Sequence, residues 1–252
     1  MDRASAAVVK YSPLLLVVVA WEMAVRLRIV SPSFLPEFSA VAVALWNLTV
    51  SLALPQHIGI SLYRQAIGFA LAVLCGVALG VGMARIRALE LALRPVVTLV
   101  YPVPVVALFP LLALVLKLGD QLQISIILLG TILPVIITSF NAARGVDHYL
   151  IWSALNMGTS PRRVLWKIVI PAALPEILSG IRITLALSFV LMVASEQLGA
   201  VGGIGAFTLS AGENGYYAGM FAGVLTVAVM GFVADRLYLG LIQRLLRWKE
   251  DL

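Results

Sequence analysis

The stretch YLIWSALNMGTSPRRVLWKIVIPAALP, residues Tyr149 to Pro175, is a polar and basic interruption in an otherwise very apolar chain. Apolar residues spaced three and four apart predict a short helix over about residues 148–157. Gly158 is placed to end that helix, because glycine accepts the left-handed backbone conformation that closes helices. We interpret residues 148–175 as a loop on the cytoplasmic side of a membrane.

A second helix is predicted in the same loop. Thr159 or Ser160 is placed to cap its first turn, and Pro161 occupies the first helical position, where no amide donor is missed. We expect Pro171 and Pro175 to end this helix, because proline donates no backbone hydrogen bond. The loop therefore contains two short helices, the second of which is basic on its polar side.

The composition identifies the class of protein. The chain has 252 residues, of which 62% are hydrophobic and 12% are charged. Soluble domains carry about 25% charged residues, and several uncharged runs here approach the roughly 20 residues that cross a bilayer. The net charge of +6 does not indicate a nucleic-acid partner, because the basic residues lie at the ends of apolar runs, where membrane orientation places them.

The apolar runs predict one all-α, polytopic transmembrane domain over residues 1–252, with both termini in the cytoplasm. Its six predicted spans are residues 11–30, 57–84, 95–116, 121–143, 176–200 and 216–243. Another apolar run, residues 38–54, would place Arg85, Arg87 and Arg94 outside if it were counted as a span. We therefore predict a helix on the outer membrane surface there, so that the basic residues concentrate inside.

Small residues recur every four positions along the second predicted span. They are Gly68, Ala72, Gly76, Gly80 and Ala84. They predict a flat face against which another helix packs closely; a pore wall is the alternative interpretation.

The third predicted span contains internal prolines, among them Pro102, Pro104 and Pro110. Interrupted backbone at membrane depth is tolerated only where protein or a water-filled cavity satisfies its polar groups. We predict that this span lines a translocation pathway; the alternative is a kinked packing helix.

The fifth predicted span carries polar side chains between Arg182 and Glu196. Thr184, Ser188 and Ser195 supply hydroxyl groups that suit a stripe facing the pathway, although such hydroxyls also bond to their own helix backbone. Glu196 is predicted either to gate the pathway or to pair with a neighbour. Arg182 is either an anion contact or the partner of an acidic residue.

The loop resembles the conserved cytoplasmic loop of ABC importer permeases, Glu-Ala-Ala, three residues, Gly, nine residues, Ile-x-Leu-Pro. Here Ala154 and Gly158 match, and Ile168-Val169-Ile170-Pro171 follows after nine residues. Trp152 stands where the motif has Glu, and Ser153 replaces the first Ala.

Three further stretches resemble the nitrate, sulfonate, taurine and bicarbonate branch of that family. They are YPVPVVALFPLLALVLKLG (101–119), PAALPEILSGIRITLALSF (171–189) and DRLYLGLIQRLLRW (235–248). The resemblance implies a type I importer permease fold with a coupling helix between the fourth and fifth spans.

The resemblance also implies function and partners. The chain would be a non-catalytic membrane subunit that binds no cofactor, with ATP and Mg²⁺ held by two copies of a separate ATP-binding subunit. A second copy of this chain and an extracytoplasmic substrate-binding protein would complete an importer in the bacterial inner membrane. The implied substrate is a sulfonate, nitrate, bicarbonate or aromatic acid. The residues implied in ATPase coupling are Ser153, Ala154, Leu155, Gly158, Thr159, Ser160 and Arg162.

An ion-coupled secondary carrier or a channel is the main alternative. Such carriers commonly show internal repeats and bind coupling ions near the bilayer midplane. We find no repeat, and the acids well inside the predicted spans are Glu22 and Glu196. Glu22 is four residues from Arg26 on one helical face, so these two side chains are expected to pair. The sequence also contains no phosphate-binding GxxxxGK[ST] loop, so ATP hydrolysis would need another chain.

Overall fold

The computed structural model describes residues 3–31 and 34–247, and every regular element in those residues is helical. Trp248, which the sequence suggests as an interfacial anchor, lies outside the described residues. The elements in chain order are α1 (Arg3–Arg26), α2 (Phe38–Val50), α3 (Ala53–Arg85), α4 (Arg87–Val100), a 3-10 turn (Val105–Leu108), α5 (Phe109–Leu116), α6 (Asp120–Arg144), α7 (His148–Asn156), α8 (Pro161–Val164), a π-helical segment (Leu165–Val169), α9 (Ile170–Gly199), α10 (Ile204–Glu213) and α11 (Tyr217–Leu245).

Four helical stretches of the described chain are long and apolar enough to cross a membrane. They are Ala53–Arg85, Asp120–Arg144, Pro161–Gly199 and Tyr217–Leu245. The pair Arg87–Val100 and Val105–Leu116 makes a fifth if the bend between them lies within one span. The first predicted span is helical as α1, but the count of six and the orientation of the chain remain predictions.

Helix α6 lies between α3 and α9, and the small residues of α3 allow its close approach. A Cβ atom added at Gly76 would lie 2.7 Å from Cγ1 of Val135, and one at Gly80 would lie 2.5 Å from the carbonyl oxygen of Ile136. No side chain fits at such distances, so the two backbones touch almost directly. The packing interpretation of this face is confirmed.

An aromatic side chain, that of Trp21, helps to hold helix α1 to the bundle. The ring of Trp21 meets those of Phe38 and Phe221 edge-on, each at 5.5 Å between centroids. Its indole nitrogen donates a hydrogen bond of 2.9 Å to the carbonyl oxygen of Pro36. These contacts fix α1 against α2 and α11.

The helix that we predict on the outer surface is shorter than expected. It covers Phe38–Val50, and residues 53 and 54 belong to α3. The reason is local, because Leu52 adopts a left-handed backbone with φ of 62° and so separates the two helices. The ends of α1, α3, α6 and α11 also differ by a few residues from the predicted spans.

The third predicted span is broken, not merely kinked. Helix α4 ends at Val100, and the helical segment that begins at Val105 is inclined to it by 86°. Pro102 and Pro104 lie in the break, where two neighbouring prolines remove two amide donors. Pro110 starts the next turn in the first positions of α5, which proline tolerates.

The prediction that Pro171 and Pro175 end the second loop helix is wrong. The chain remains helical from Pro161 to Gly199, through both prolines. The segment Leu165–Val169 is π-helical, and the amide of Ile170 accordingly reaches the carbonyl of Leu165. The wider turn changes the hydrogen-bond register just before Pro171, which then occupies a first-turn position of α9.

The close α3–α6 contact predicts opposite effects of the same substitution at two glycines of α3. Gly80→Ala should destabilise the protein by about 1–3 kcal/mol, because the new methyl group overlaps α6. Gly59→Ala, at a position with open space around it, should be neutral or stabilising by about 0.5–1 kcal/mol. Thermal unfolding in detergent measures the stability of both variants, and equal melting temperatures would contradict the close contact between α3 and α6.

Candidate functional site

Helix α7 ends as the sequence predicts. Gly158 has φ of +80°, in the left-handed region that favours glycine. Its amide donates to the carbonyl of Leu155 at 2.9 Å, and the amide of Thr159 donates to the carbonyl of Ala154 at 3.0 Å. These bonds satisfy carbonyls that a helix end would leave unpaired. Ser160 then occupies the cap position of α8, although its side chain makes no capping bond.

One face of α7 is anchored in the core. Ala154 is buried in an apolar cluster with Val146, Val164 and Ile177. These residues come from α7, the connection before it, α8 and α9, so the loop is packed onto the membrane helices. A displacement of α7 would therefore be passed directly to its neighbours.

Large apolar side chains of α7 and of its C-cap residue are exposed. Tyr149, Trp152 and Met157 are 75%, 58% and 78% exposed. The ring of Trp152 lies edge-on to that of Tyr149 at 5.9 Å and near that of His148 at 6.0 Å. We name Tyr149, Trp152 and Met157 the aromatic face. Contiguous exposed apolar surface is typical of an interaction site.

Basic residues follow α7 in the chain. Arg162, Arg163 and Lys167 are all exposed on α8 and the π-helical segment. Of the predicted coupling residues, Ala154 is buried and Thr159 half-buried, while the exposed ones are Ser153, Leu155, Gly158, Ser160 and Arg162.

The predicted pathway residues separate into two groups. Pro102, Pro104 and Pro110 are exposed at the broken span. Thr184, Ser188 and Ser195 are buried, and each hydroxyl donates to a carbonyl of its own helix, at 3.0, 2.6 and 3.0 Å respectively. These hydroxyls therefore lie in the packed interior of the chain, and their place in a pathway remains a prediction.

Glu196 lies at the centre of a buried polar network near the end of α9. Its side chain is 1% exposed and accepts hydrogen bonds from Ser61 at 2.9 Å, from Nη1 of Arg64 at 3.0 Å and from the amide of Gly205 at 2.9 Å. Arg64 also binds Asp120 through Nη2 at 2.7 Å. The network joins α3, α6, α9 and α10.

Arg64 was not among the residues predicted for a site. It is 5% exposed and donates a further bond of 2.6 Å to the carbonyl oxygen of Gly202. The amide of Ile204 donates to Ser61 Oγ at 2.8 Å, so the connection between α9 and α10 is fixed as well. The sequence does show that Arg64 is a charged residue inside a predicted span, which indicates that it needs a partner. It does not show which residues those partners are, because they lie more than fifty positions away in the chain.

Two other ion pairs agree with the sequence. Nε and Nη2 of Arg182 donate to the two carboxylate oxygens of Asp235, at 2.7 and 2.9 Å. The predicted pairing of Arg182 with an acid is therefore confirmed. Arg26 binds Glu22 at 2.7 Å. The Glu22 carboxylate also accepts the Ser39 hydroxyl at 2.9 Å, which ties α1 to α2.

The network predicts unequal costs for removing its two acids. Glu196→Gln should destabilise the protein by about 3–5 kcal/mol, because it breaks a buried ion pair. Asp120→Asn should cost about 1 kcal/mol or less, since the Asp120 side chain is 52% exposed and water compensates for it. Melting temperatures of the two purified variants provide the comparison, and similar losses would show that Glu196 is not the centre of the network.

Comparison with known proteins identifies the family. The model of the family described as "Binding-protein-dependent transport system inner membrane component" matches residues 72–247. The chain is 32% identical to the putative aliphatic sulfonates transport permease protein SsuC of Bacillus subtilis (strain 168), over 93% of this chain and 85% of that protein. It is 31% identical to the taurine transport system permease protein TauC of Escherichia coli (strain K12), over 92% of this chain and 86% of that protein.

Solved structures show the same fold. An inward-facing structure of the MetNI methionine ABC transporter matches with a TM-score of 0.69 and 19% identity, over 78% of this chain and 97% of that chain. An amino acid ABC transporter crystallised with histidines matches with a TM-score of 0.61 and 14% identity, over 81% and 97%.

The helical core therefore has the type I importer permease fold. The related proteins are permeases, so this chain is a non-catalytic, multi-pass subunit of the bacterial inner membrane. The chain belongs to the family of binding-protein-dependent transport system inner membrane components.

Proposed function

We propose that this chain forms the substrate pathway of an ATP-driven importer, and that α7 is the coupling helix on which a separate ATP-binding subunit docks. The aromatic face is the observation that carries the proposal. It is exposed to water in this chain, whereas its reverse side is packed into the membrane helices through Ala154. Such a helix is suited to receive a partner on one face and to move the bundle with the other.

The exposed residues of this surface indicate what kind of groove on the partner would fit it. The surface combines the exposed apolar side chains of the aromatic face with the exposed Arg162, Arg163 and Lys167 that follow in α8 and the π-helical segment. A groove with an apolar floor and acidic edges would complement both parts. The Trp152 side chain takes the place of the motif's glutamate. At this position the partner would therefore bury an aromatic ring instead of forming an ion pair.

The continuous helix from Pro161 to Gly199 provides the mechanical link. Its Pro161 end packs against α7, and its other end carries Glu196 and the buried network. We infer that closure of two ATP-binding subunits draws two copies of this chain together at α7, and that the broken span α4–α5 rearranges between inward-open and outward-open states. Only different contacts with the open and closed ATPase can drive this change.

The proposed arrangement has six spans with both termini in the cytoplasm. It includes two copies each of this chain and the ATP-binding subunit, together with an extracytoplasmic binding protein. The substrate class is a small organic anion, and the names of the relatives, which refer to aliphatic sulfonates and taurine, support this class. ATP and Mg²⁺ would be held by the partner.

The acids inside the bundle do not favour an ion-coupled carrier. Glu196 is saturated by Ser61, Arg64 and Gly205, and Glu22 is bound by Arg26 and Ser39. A carboxylate that binds and releases a coupling ion needs free coordination sites, which neither of these provides in this structure.

The aromatic face predicts selective loss of the partner. Trp152→Ala should lower the amount of ATP-binding subunit that co-purifies with the tagged chain by about tenfold, because truncating an interface tryptophan commonly costs 2 kcal/mol or more. The melting temperature of the chain alone should change little, since Trp152 is largely exposed.

Trp46→Ala is the matched control. Trp46 is 70% exposed on α2, which the proposed orientation places on the outer surface. Its truncation should leave ATPase recovery unchanged. The coupling assignment would be contradicted if both variants retained the same amount of the ATP-binding subunit, or if the wild-type chain purified without it.

A further inference from the structure

A cleft of about 310 Å³ lies where α4 diverges from α6. Its lining includes Met83 near the end of α3 and Asn141 near the end of α6, so it lies toward the end of the bundle that carries α7. In the proposed orientation this is the cytoplasmic half of the membrane. The volume lies in the range of sites that hold small molecules.

The cleft has an apolar floor and a polar edge. Val97, Ile136 and Phe140 contribute hydrocarbon surface from α4 and α6. Tyr101 and Asn141 stand at the edge, and their side chains make no hydrogen bond within the described residues. A ligand that fits this lining has an apolar body and a group that accepts hydrogen bonds.

Arg94 supplies the charge of the cleft. Three guanidinium groups share the nearly buried carboxylate of Glu90, with Nη1 of Arg87 at 2.7 Å, Nη1 of Arg144 at 2.8 Å and Nη1 of Arg94 at 3.3 Å. Arg94 has the longest of these contacts, and its side chain is 66% exposed. One carboxylate cannot neutralise three arginines, so the cluster retains positive charge beside the cleft.

We propose that this cleft is a binding site for a small organic anion, with the anionic group on Arg94 and the apolar body between Val97 and Phe140. The proposal rests on the function proposed above, because it places a substrate-type ligand on the cytoplasmic side of the pathway. The site would hold the substrate loosely just before release. Asn141 and the Tyr101 hydroxyl would complete the contacts with the anion.

The test uses the intact complex of this chain with its ATP-binding subunit, purified in detergent. Isothermal titration calorimetry with 1-butanesulfonate should give binding at least tenfold tighter than with inorganic sulfate or with 1-butanol. Sulfate lacks the apolar body and butanol lacks the charge, so the two comparisons separate the contributions of Arg94 and of the floor.

Arg94→Gln should weaken 1-butanesulfonate binding by about 10- to 100-fold, the usual size of a lost bond to a charged group. Arg87→Gln is the matched control, because it removes the same charge from the same carboxylate but does not line the cleft. It should change the affinity by less than about threefold. Val97→Phe, which fills the floor and keeps every charge, should also weaken binding.

Three results would overturn the site. Equal losses in Arg87→Gln and Arg94→Gln would indicate a general cationic surface. Displacement of 1-butanesulfonate by phosphatidylglycerol in nanodiscs, but not by phosphatidylcholine, would assign the cleft to lipid headgroups. Absence of binding in a complex that retains its ATPase would refute the cleft and leave the proposed function intact, whereas a complex without an ATPase would refute the proposed function itself.

Discussion

A buried carboxylate cannot remain ionised in an apolar bundle without partners, and this requirement fixes one end of the molecule. Glu196 is held by a serine and an arginine of α3 and by a backbone amide of α10. The same arginine reaches the first residue of α6 and the connection that follows α9. Four helices are thereby joined at one point. Burying charged groups carries a desolvation penalty that offsets their mutual attraction. We therefore infer that the network contributes more to the specificity of the fold than to its net stability.

The other end of the bundle is joined by apolar packing. Ala154 and Val164 bring the loop onto α6 and α9, while the aromatic face remains exposed. The unbroken helix from Pro161 to Gly199 connects the two ends. Between them, α3 and α6 are in almost direct backbone contact, which makes this pair a rigid support. The broken span α4–α5 carries both the exposed prolines and the cleft at Arg94, and it is the segment that we propose to rearrange along the pathway.

The sequence predicts the local features of this structure well and the long-range ones poorly. Hydrophobic runs and the four-residue spacing of small residues predict α3, α6 and α11, because both depend on neighbours along one helix. Gly158 and Pro161 mark a helix end and a helix start for the same reason. The prolines at 171 and 175 do not end the helix: a π-helical turn places Pro171 in the first turn of α9, and Pro175 lies inside α9. Pro102 and Pro104 mark the break after α4, but its 86° angle and the partners of Arg64, Glu90 and Glu196 depend on tertiary contacts, which spacing alone does not encode.

We propose that closure of the ATP-binding subunits moves α7, and a distance measurement tests this movement directly. Cys75 is the single cysteine of the chain, so Cys75→Ser combined with Met157→Cys gives one exposed spin label per copy at the C-terminal end of α7. Double electron–electron resonance on the assembled complex would report the separation of the two labels. A shorter distance with ATP and vanadate than without nucleotide is the predicted result. A distance that does not change between these states, or the absence of any dipolar coupling, would contradict both the dimer and the coupling role of α7.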